Sequence, residues 1–575
     1  MYLHRLTLLT VATSMLVACD SHSPPQQEVA LRPEAGIATP PVITQADTAR
    51  PTRKQGPGMA QDTRGLREMR LLSHSAAQGM SLPPVSPPLV DRENYGHFED
   101  NPVRQAAVDP VSTFSIDVDT GSYANLRRIL NEGRLPPRDA VRTEELINYF
   151  SYADPAPSSR SEPFRVSTEI GPTPWNRDTH LLRVGLKAWQ PETHELPPAN
   201  LVFLVDVSGS MRHSAKLPLL KRALSLLTSR LDGDDRVTIV SYAGASGLAL
   251  DTTPGDEKAK IEAALMQLES GGSTNGGAGI RLAYAKAREA FRPQGINRVI
   301  LATDGDFNVG TVDQDALLNL VEEQKKSGIH LTTLGFGSGN YNDHLMEQLA
   351  DHGDGNHAYI DTLLEAQKAL VDQLGSTLHT VARDVKIQIE FNPASVAEYR
   401  LVGYENRKLR REDFNNDKVD AGDIGAGHSV TALYEITLQG SDARRIDPLR
   451  YASPAPRTGD SDELAFLRLR YKHPDEQQSR LIELPLRLED IQHQLDATTD
   501  DYRFSAAVAA FGQQLRGGTY LREMDYAAIL ELARGARGSD ARGYRSDLLR
   551  LVSLAESIGR QMHKAKAPQD RTTEG

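Results

Sequence analysis

Between residues 199 and 374, short apolar runs alternate with longer segments of helical periodicity. The apolar runs are 201–205, 237–240, 247–250, 299–302 and 329–334, and the helical segments are 218–231, 257–268, 278–291 and 314–327. A continuous apolar run of this length is typical of a strand buried on both faces, and its alternation with helices favours parallel pairing. The sequence therefore predicts an α/β fold with a doubly wound, mainly parallel sheet. Ligands of such sheets bind beyond the carboxyl ends of the strands.

Polar side chains follow two of these apolar runs and occupy one loop between helical segments. Asp206, Ser208 and Ser210 come directly after the first run, loop 271–277 is rich in glycine and hydroxyl residues, and Asp304 follows the fourth run. Because the carboxyl ends of parallel strands meet at one edge of a sheet, we expect two carboxylates and three hydroxyls to converge there. Mg²⁺ prefers hard oxygen donors of this kind, and Mn²⁺ or Ca²⁺ are alternatives. The sequence therefore predicts a divalent-cation site.

The order Asp-x-Ser-x-Ser, then Thr, then Asp resembles the metal-ion-dependent adhesion site of von Willebrand factor type A (VWA) domains. The strand and helix order around it is similar to that Rossmann-like fold. The resemblance implies that Asp206, Ser208 and Ser210 bind the metal directly or through water. It also implies that Thr274 joins when a ligand is bound and that Asp304 holds a coordinated water. In this family the metal keeps one position for an Asp or Glu of a partner protein.

The only cysteine of the chain is Cys19, so a disulfide framework, a multi-cysteine zinc site and an iron–sulfur cluster are excluded. The apolar stretch 6–18 is too short to span a bilayer and is typical of a signal peptide. The sequence Leu-Val-Ala-Cys at 16–19 resembles the lipobox of bacterial lipoproteins, which implies lipidation of Cys19. Asp20 resembles an inner-membrane retention signal. We expect a lipid anchor at the inner membrane, facing the periplasm; a stray cysteine after an ordinary secretory signal is the alternative.

The segment that follows the cysteine has the composition of a tether. Residues 20–94 contain no Phe, Tyr or Trp and are rich in Pro, Gln, Ser, Thr and Ala. A segment of this kind cannot bury enough apolar surface to offset the entropy of ordering. We therefore expect a disordered tether over 19–93 that holds a folded body away from the membrane.

A wider resemblance to YfbK-like bacterial lipoproteins rests on residues 114–123, 302–310 and 413–427. That family combines a lipobox, a proline-rich tether, an accessory domain, a VWA domain and a C-terminal domain. The expected division of this chain is a signal peptide 1–18, a tether 19–93, an α/β accessory domain 94–195, a VWA domain 196–376, a β-sandwich-like domain 377–500 and a helical region 501–575.

The periodicity on either side of the VWA range supports this division. Antiparallel strands are predicted where apolar and polar residues alternate, at 164–170, 180–186, 385–391, 399–403, 428–438, 464–471 and 480–488. After residue 501 the apolar residues Phe504, Val508 and Phe511 keep a helical spacing. We therefore expect a β-rich domain followed by helices.

Two short segments contain metal-ligand residue types without a full motif. Asp117 and Asp119 are followed by no Glu at the distance an EF-hand requires, so a strand-to-helix turn with an Asx cap is favoured. His352, Asp354 and His357 lie in a glycine-rich stretch where a metal cluster is weighed against a solvated loop, and the loop is favoured.

A third segment mimics the start of a calcium loop. Asp413, Asn415 and Asp417 match the first ligand positions of an EF-hand, but Lys418 replaces the glycine and Ile424 replaces the glutamate. A hairpin connection is therefore favoured over a calcium site.

Charge and composition limit the function. A net charge of −12 and an aromatic content of 6% argue against a nucleic-acid binder. We expect a membrane-anchored, metal-dependent protein-binding module with no enzymatic activity, whose partner supplies an Asp or Glu. A structural scaffold without metal-dependent binding is the alternative. A Mg²⁺-dependent hydrolase is less favoured, since Asp306 is the only local candidate for its general base.

Overall fold

The computed structural model describes residues 92–191, 196–305, 314–447, 462–474, 476–522 and 524–566, which all lie in one unit beginning at Val85. The strands within these ranges are, in chain order, β1 (Arg104–Gln105), β2 (Val111–Ser115), β3 (Phe164–Thr173), β4 (Asn176–Ala188), β5 (Ala199–Asp206), β6 (Arg236–Tyr242), β7 (Ser246–Pro254), β8 (Ile296–Thr303), β9 (His330–Phe336), β10 (His357–Ile360), β11 (Thr380–Phe391), β12 (Val396–Val402), β13 (Ile424–Gly425), β14 (Ser429–Leu438), β15 (Glu463–Lys472) and β16 (Ser479–Arg487).

The α-helices of the same ranges are α1 (Gly121–Asn131), α2 (Thr143–Asn148), α3 (Leu217–Thr228), α4 (Lys258–Gln267), α5 (Gly276–Glu289), α6 (Gln314–Lys326), α7 (Asp343–His352), α8 (Leu363–Gln367), α9 (Leu374–Leu378), α10 (Asp500–Leu515), α11 (Tyr526–Gly535) and α12 (Tyr544–Lys566). None of the helices described is both long and apolar enough to cross a membrane.

Six strands form the sheet that carries the predicted metal site, in the order β10-β9-β8-β5-β6-β7. All neighbours pair in parallel except β7, which runs antiparallel to β6 at one edge. Every residue of the central strand β5 is buried. Helices α3 and α4 pack on one face, through residues such as Leu224 and Ile261, and α5, α6 and α7 pack on the other, through residues such as Ile280 and Val321. The doubly wound, mainly parallel sheet is therefore confirmed.

A β-sandwich is built from the two ends of the folded chain. Its first sheet has the order β1-β12-β14-β4-β3, and its second has the order β13-β11-β15-β16 with β2 also paired to β11. The two sheets enclose one core that includes Phe114, Leu182, Ile387 and Tyr434. The structure thus differs from the expected division, because strands of 94–195 and of 377–500 share both sheets. Neither range can bury its apolar strand face without the other.

The helices at the two ends of the folded chain share a second core. Residues of α1 and α2, among them Tyr123 and Leu146, pack with Phe504, Phe511 and Leu548 of the C-terminal helices. The helical region expected after residue 501 is therefore packed against the N-terminal accessory helices.

Helix α2 carries a buried carboxyl group whose ionisation should affect stability. Burial raises the pKa of Glu144 to about 8, and the charges of Glu405 and Asp117 act in the same direction. The folded state therefore favours the protonated form, so its contribution to stability is present at low pH and is lost as pH rises from the unfolded pKa of Glu, about 4.3, to about 8.

The isosteric change Glu144→Gln removes this titration. The free energy of unfolding of Glu144→Gln relative to the unmodified chain should rise by about 1 to 3 kcal/mol between pH 5 and pH 8. Urea unfolding at several pH values measures the difference. If the free energy of unfolding depends on pH in the same way for the two proteins, Glu144 does not titrate in this range.

Candidate metal centre

Strand β5 ends at Asp206, whose side chain is fully buried. Its Oδ1 atom accepts a hydrogen bond of 2.8 Å from the backbone N–H of Ser208, and its Oδ2 atom accepts one of 2.8 Å from the hydroxyl of Thr303. Thr303 ends the neighbouring strand β8. The carboxylate is therefore held between two parallel strands at their carboxyl ends, where the sequence placed it.

The serine loop and the glycine-rich loop meet beside this carboxylate. The Oγ atoms of Ser208 and Ser210 are 2.9 Å apart, in a turn that begins at Gly209. The N–H of Gly209 donates to the carbonyl oxygen of Gly272 at 3.1 Å. Thr274, two residues further along that loop, is half-buried. The structure thus brings the loop that carries Thr274 against the loop that carries the two serines.

Asp304 is fully buried and makes an ion pair with a lysine from the start of α3. The Nζ atom of Lys216 lies 2.8 Å from Asp304 Oδ2 and 3.0 Å from Asn340 Oδ1. Lys216 is itself 7% exposed. The predicted site therefore already contains one fixed positive charge.

The loop after β9 is shaped around this lysine. Gly337 has a φ of +77°, and a Cβ atom there would overlap the Lys216 side chain. Because only glycine combines that backbone conformation with the close contact, Gly337 fixes the path of the lysine. The same loop is anchored where the Oε1 atom of Glu93 accepts a hydrogen bond of 2.8 Å from Gly339 N–H.

The two carboxylates interact electrically. The pKa of Asp206 is raised to about 6, chiefly by burial; the hydrogen bonds from Ser208 oppose this shift and the nearby charge of Asp304 adds to it. Ionised carboxylates in such a buried place need positive charge close by. Lys216 supplies part of it, and a divalent cation would meet the same requirement.

The donor set fits Mg²⁺ in its chemistry. Two carboxylates and the hydroxyls of the serine and threonine loops are hard oxygen donors, which Mg²⁺ accepts together with water. Among the residues that the structure describes, no group of three or more His, Cys, Asp or Glu side chains is arranged to hold a metal. The predicted ligands Asp206, Ser208, Ser210, Thr274 and Asp304 include only two carboxylates, so the prediction relies on hydroxyl oxygens as well.

Two residues of this site were not predicted. Thr303 orients Asp206, and the only available signal was its position directly before Asp304. Lys216 lies ten positions after Asp206 in sequence and follows no spacing rule, because its place depends on the loop after β9.

The segment at Asp117 and Asp119 forms a turn, as favoured from the sequence. The backbone N–H of Asp119 donates to Asp117 Oδ1 at 3.1 Å, and α1 begins two residues later. Asp117 Oδ2 lies 3.3 Å from Arg407 Nε. Asp119 Oδ2 lies 3.7 Å from Arg407 Nη2, so the two carboxylates share an arginine. The expected Asx cap is wrong, because the N-cap residue of α1 is Thr120 and makes no side-chain cap hydrogen bond.

His357 and Asp354 lie in separate contacts. His357 is buried and its Nε2 atom hydrogen-bonds the Tyr341 hydroxyl at 2.7 Å, whereas Asp354 pairs with Lys325 at 2.6 Å. The structure therefore uses both side chains for packing and ion pairing and does not join them with His352.

In the segment that resembles the start of a calcium loop, residues 413–417, the side chains also contact other protein groups. Asp413 lies in a 3₁₀ turn, and Asp417 Oδ1 lies 3.1 Å from Arg470 Nη2. The segment joins β12 to β13, which lie in different sheets, so it is a crossing between sheets and the favoured hairpin connection is wrong.

Cys19, Asp20, residues 1–91 of the expected signal peptide and tether, and Asp306 lie outside the described residues. The last two residues of the expected tether, Arg92 and Glu93, are bound to the folded body, since Arg92 N–H donates to Gly339 O at 3.1 Å.

Three family sequence models match the chain. They are the von Willebrand factor type A domain at residues 200–373, von Willebrand factor at residues 89–183, and the C-terminal part of uncharacterized protein YfbK at residues 376–558. The VWA match coincides with the six-stranded sheet and its helices, so the predicted fold class is confirmed.

The chain also resembles curated proteins over different lengths. It is 50% identical over 473 residues to the uncharacterized protein YfbK of Escherichia coli strain K12, a match that covers 81% of each chain. An uncharacterized protein of Synechocystis is 28% identical over 32% of this chain and 43% of its own length. Inter-alpha-trypsin inhibitor heavy chain H3 of Homo sapiens is 24% identical over 43% of this chain and 30% of its own length.

Solved structures with the same type of domain are more distant. A von Willebrand factor type A protein from Catenulispora acidiphila is 13% identical, covers 68% of this chain and 89% of its own, and has a TM-score of 0.38. The ArnB paralog VWA2 from Sulfolobus acidocaldarius is 14% identical, covers 69% of this chain and 98% of its own, and has a TM-score of 0.34.

Proposed function

Because the chain belongs to the YfbK family of VWA-domain proteins, we propose that it is a lipid-anchored envelope protein that binds a protein partner through Mg²⁺ and a partner carboxylate. VWA domains serve in protein–protein interaction or as scaffolds. The observation that carries the proposal is the meeting of Asp206, Ser208 and Asp304 at the carboxyl edge of a parallel sheet. The proposed function is binding, without enzymatic activity.

The residues of this edge have distinct tasks in the proposed mechanism. Asp206, Ser208, Ser210, Thr274 and Asp304 would hold the cation directly or through water, and the cation would offer one coordination position to a partner Asp or Glu. The hydrogen bonds to Asp206 fix its carboxylate before binding, which reduces the entropy lost on association. Asp206 and Asp304 are fully buried, whereas Ser210 is exposed where a partner can reach it.

The proposed location rests on sequence. The lipobox around Cys19 supports an N-terminal lipid, and Asp20 supports retention at the inner membrane with the folded body in the periplasm. The tether 19–93 would let the VWA domain reach partners away from the membrane surface.

A metal-independent scaffold is favoured by one contact. The ion pair between Lys216 and Asp304 already neutralises one of the two carboxylates, so the site can remain folded without a divalent cation. If the VWA domain serves only as a scaffold, the double variant Ser208→Ala, Ser210→Ala should keep full function in the cell. If binding depends on the metal, the same variant should lose function.

Replacing the lysine gives the first test of the metal's role. Lys216→Met removes a positive charge next to Asp304, so Mg²⁺ affinity should rise by about tenfold or more. Without metal, thermal stability should fall, because a buried carboxylate loses its partner. Calorimetric titration with Mg²⁺ and thermal unfolding in EDTA measure the two effects.

Lys260→Met is the matched control, because Lys260 is 55% exposed and lies in α4. It should change neither quantity. Equal Mg²⁺ affinity in Lys216→Met and the unmodified chain, with stability lost in EDTA, would assign Lys216 a purely structural role.

The proposed function itself is tested by crosslinking and capture from bacterial membranes. The unmodified chain should capture the same partner with Mg²⁺ and lose it with EDTA, and Asp206→Ala should not capture it. Asp251→Ala, which changes an exposed carboxylate of the same domain, should capture it normally. Capture that survives both EDTA and Asp206→Ala would contradict metal-dependent binding.

A further inference from the structure

A cavity of about 410 Å³ lies between α9, the β-sandwich and the start of α12, at residues that the metal site does not use. Four basic side chains line it, Lys187, Lys368, Arg542 and Arg545, against the carboxylates of Asp372 and Asp540. This excess of positive charge contrasts with the net charge of −12 of the whole chain. The cavity is therefore a local positive site on an acidic protein.

Lys368 is the most buried of these basic groups, with 4% exposure. Its Nζ atom donates to the carbonyl oxygen of Tyr149 at 2.7 Å and lies over the Tyr149 ring. Among the described residues no carboxylate lies within ion-pair distance of it. Burial lowers the pKa of Lys368 to about 7, although the charges of Glu365 and Asp372 act in the opposite direction.

Lys187 is a second basic group without a carboxylate partner in the described part of the chain. Its Nζ atom donates to Gly427 O at 2.7 Å and to Ser429 Oγ at 3.1 Å, both neutral acceptors. Burial lowers the pKa of Lys187 as well. Both lysines lie close enough to His428 that, after burial, their charges are the causes that lower its pKa to about 4.

The carboxylates around the cavity are already engaged. Asp372 pairs with Arg542, and Asp540 accepts hydrogen bonds from the backbone and hydroxyl of Ser546. Arg545 pairs with Asp501 at 2.6 Å. Lys187 and Lys368 are therefore the basic groups of this cavity that have no carboxylate partner in the described part of the chain. A buried charge without a partner is costly.

We propose that this cavity binds a small soluble phosphomonoester, with the phosphate between Lys187 and Lys368. A phosphate group carries enough negative charge for two ammonium groups and accepts hydrogen bonds from hydroxyls such as that of Ser429. The cavity exceeds an inorganic phosphate ion and falls in the lower range of small-ligand pockets, so it leaves room for an organic moiety. The half-exposed Arg542 lies at the rim.

The test uses the full chain in EDTA, so that it is independent of the metal site. Inorganic phosphate and glycerol 3-phosphate are the probes, with sodium chloride at equal ionic strength as the reference. Each probe should raise the midpoint of thermal unfolding above the reference and bind at one site in calorimetry. Lys368→Met and Lys187→Met should weaken binding at least tenfold. Lys326→Met, which changes a lysine of α6 that is 67% exposed, should not.

Lys368→Met is expected to be as stable as the unmodified chain in chloride, since an unpaired buried charge is removed. If it does not fold, the half-buried Lys187 carries the test alone. Vesicles of phosphatidylglycerol are tested separately, to distinguish a lipid headgroup from a soluble phosphomonoester. The proposal is overturned if inorganic phosphate and glycerol 3-phosphate raise the midpoint of thermal unfolding no more than chloride does. It is also overturned if the lysine variants bind these probes as tightly as the unmodified chain, or if the chain binds the vesicles and neither probe.

Discussion

Asp206→Asn should weaken Mg²⁺ binding by about a hundredfold or more, because it removes one of the two negative charges of the site. Asparagine keeps the size of the side chain and one oxygen that can accept the hydrogen bond from Ser208. The change therefore acts on charge rather than on shape. Calorimetric titration with Mg²⁺ measures the affinity, and chelation by EDTA should abolish the signal of the unmodified chain.

Thermal unfolding in EDTA distinguishes a lost ligand from a lost fold. Asp206→Asn should unfold cooperatively under these conditions, and Asp251→Asn, which alters an exposed carboxylate, should bind Mg²⁺ normally. An Asp206→Asn protein that binds Mg²⁺ with unchanged affinity would place the cation elsewhere.

Arg142→Met is expected to have the largest effect on stability, with a loss of about 3 to 5 kcal/mol. Arg142 is 3% exposed and lies at the start of α2. Its guanidinium is 3.2 Å from Glu145 Oε1 and 3.1 Å from Asp343 Oδ2, and it also contacts Glu347. Asp343 and Glu347 belong to α7, the helix that packs on the VWA sheet. The substitution would leave three buried carboxylates without this partner.

Urea unfolding measures the loss, and Arg138→Met is the matched control. Arg138 is 50% exposed and pairs with Asp100, so its replacement should cost at most about 1 kcal/mol. A loss of less than about 1 kcal/mol in Arg142→Met would show that the ion pairs do not stabilise the packing of α2 on α7.

The VWA sheet was predictable because its signals are local. Residues 201–205 of β5 are apolar throughout, and the central strands β5 and β8 are each followed by a helix of recognisable periodicity. The β-sandwich was predicted as a domain over 377–500, and the pairing of its strands with those of 94–195 was missed. Its partners are far apart in sequence, as Phe114 pairs with Ile387 and Leu186 with Val430, and no local pattern specifies such pairing.

The site was predictable to the same extent. Asp206, Ser208, Ser210 and Asp304 end adjacent strands or their loops, so their meeting followed from the sheet alone. Lys216 was missed because its ammonium is positioned by Gly337 and Asn340, which lie on another loop. The cavity with Lys187 and Lys368 was missed for the same reason, since it is formed only when the sandwich and the terminal helices pack.

The central claim is that a divalent cation binds at the carboxyl ends of β5 and β8. Crystals of the protein soaked in Mn²⁺ test this claim by anomalous diffraction, because Mn²⁺ takes the same oxygen donors as Mg²⁺ and scatters anomalously. We predict a single strong peak beside Asp206, Ser208 and Ser210 that is absent from crystals of Asp206→Asn. A peak at another place, or no peak with an unchanged Lys216–Asp304 ion pair, would contradict it.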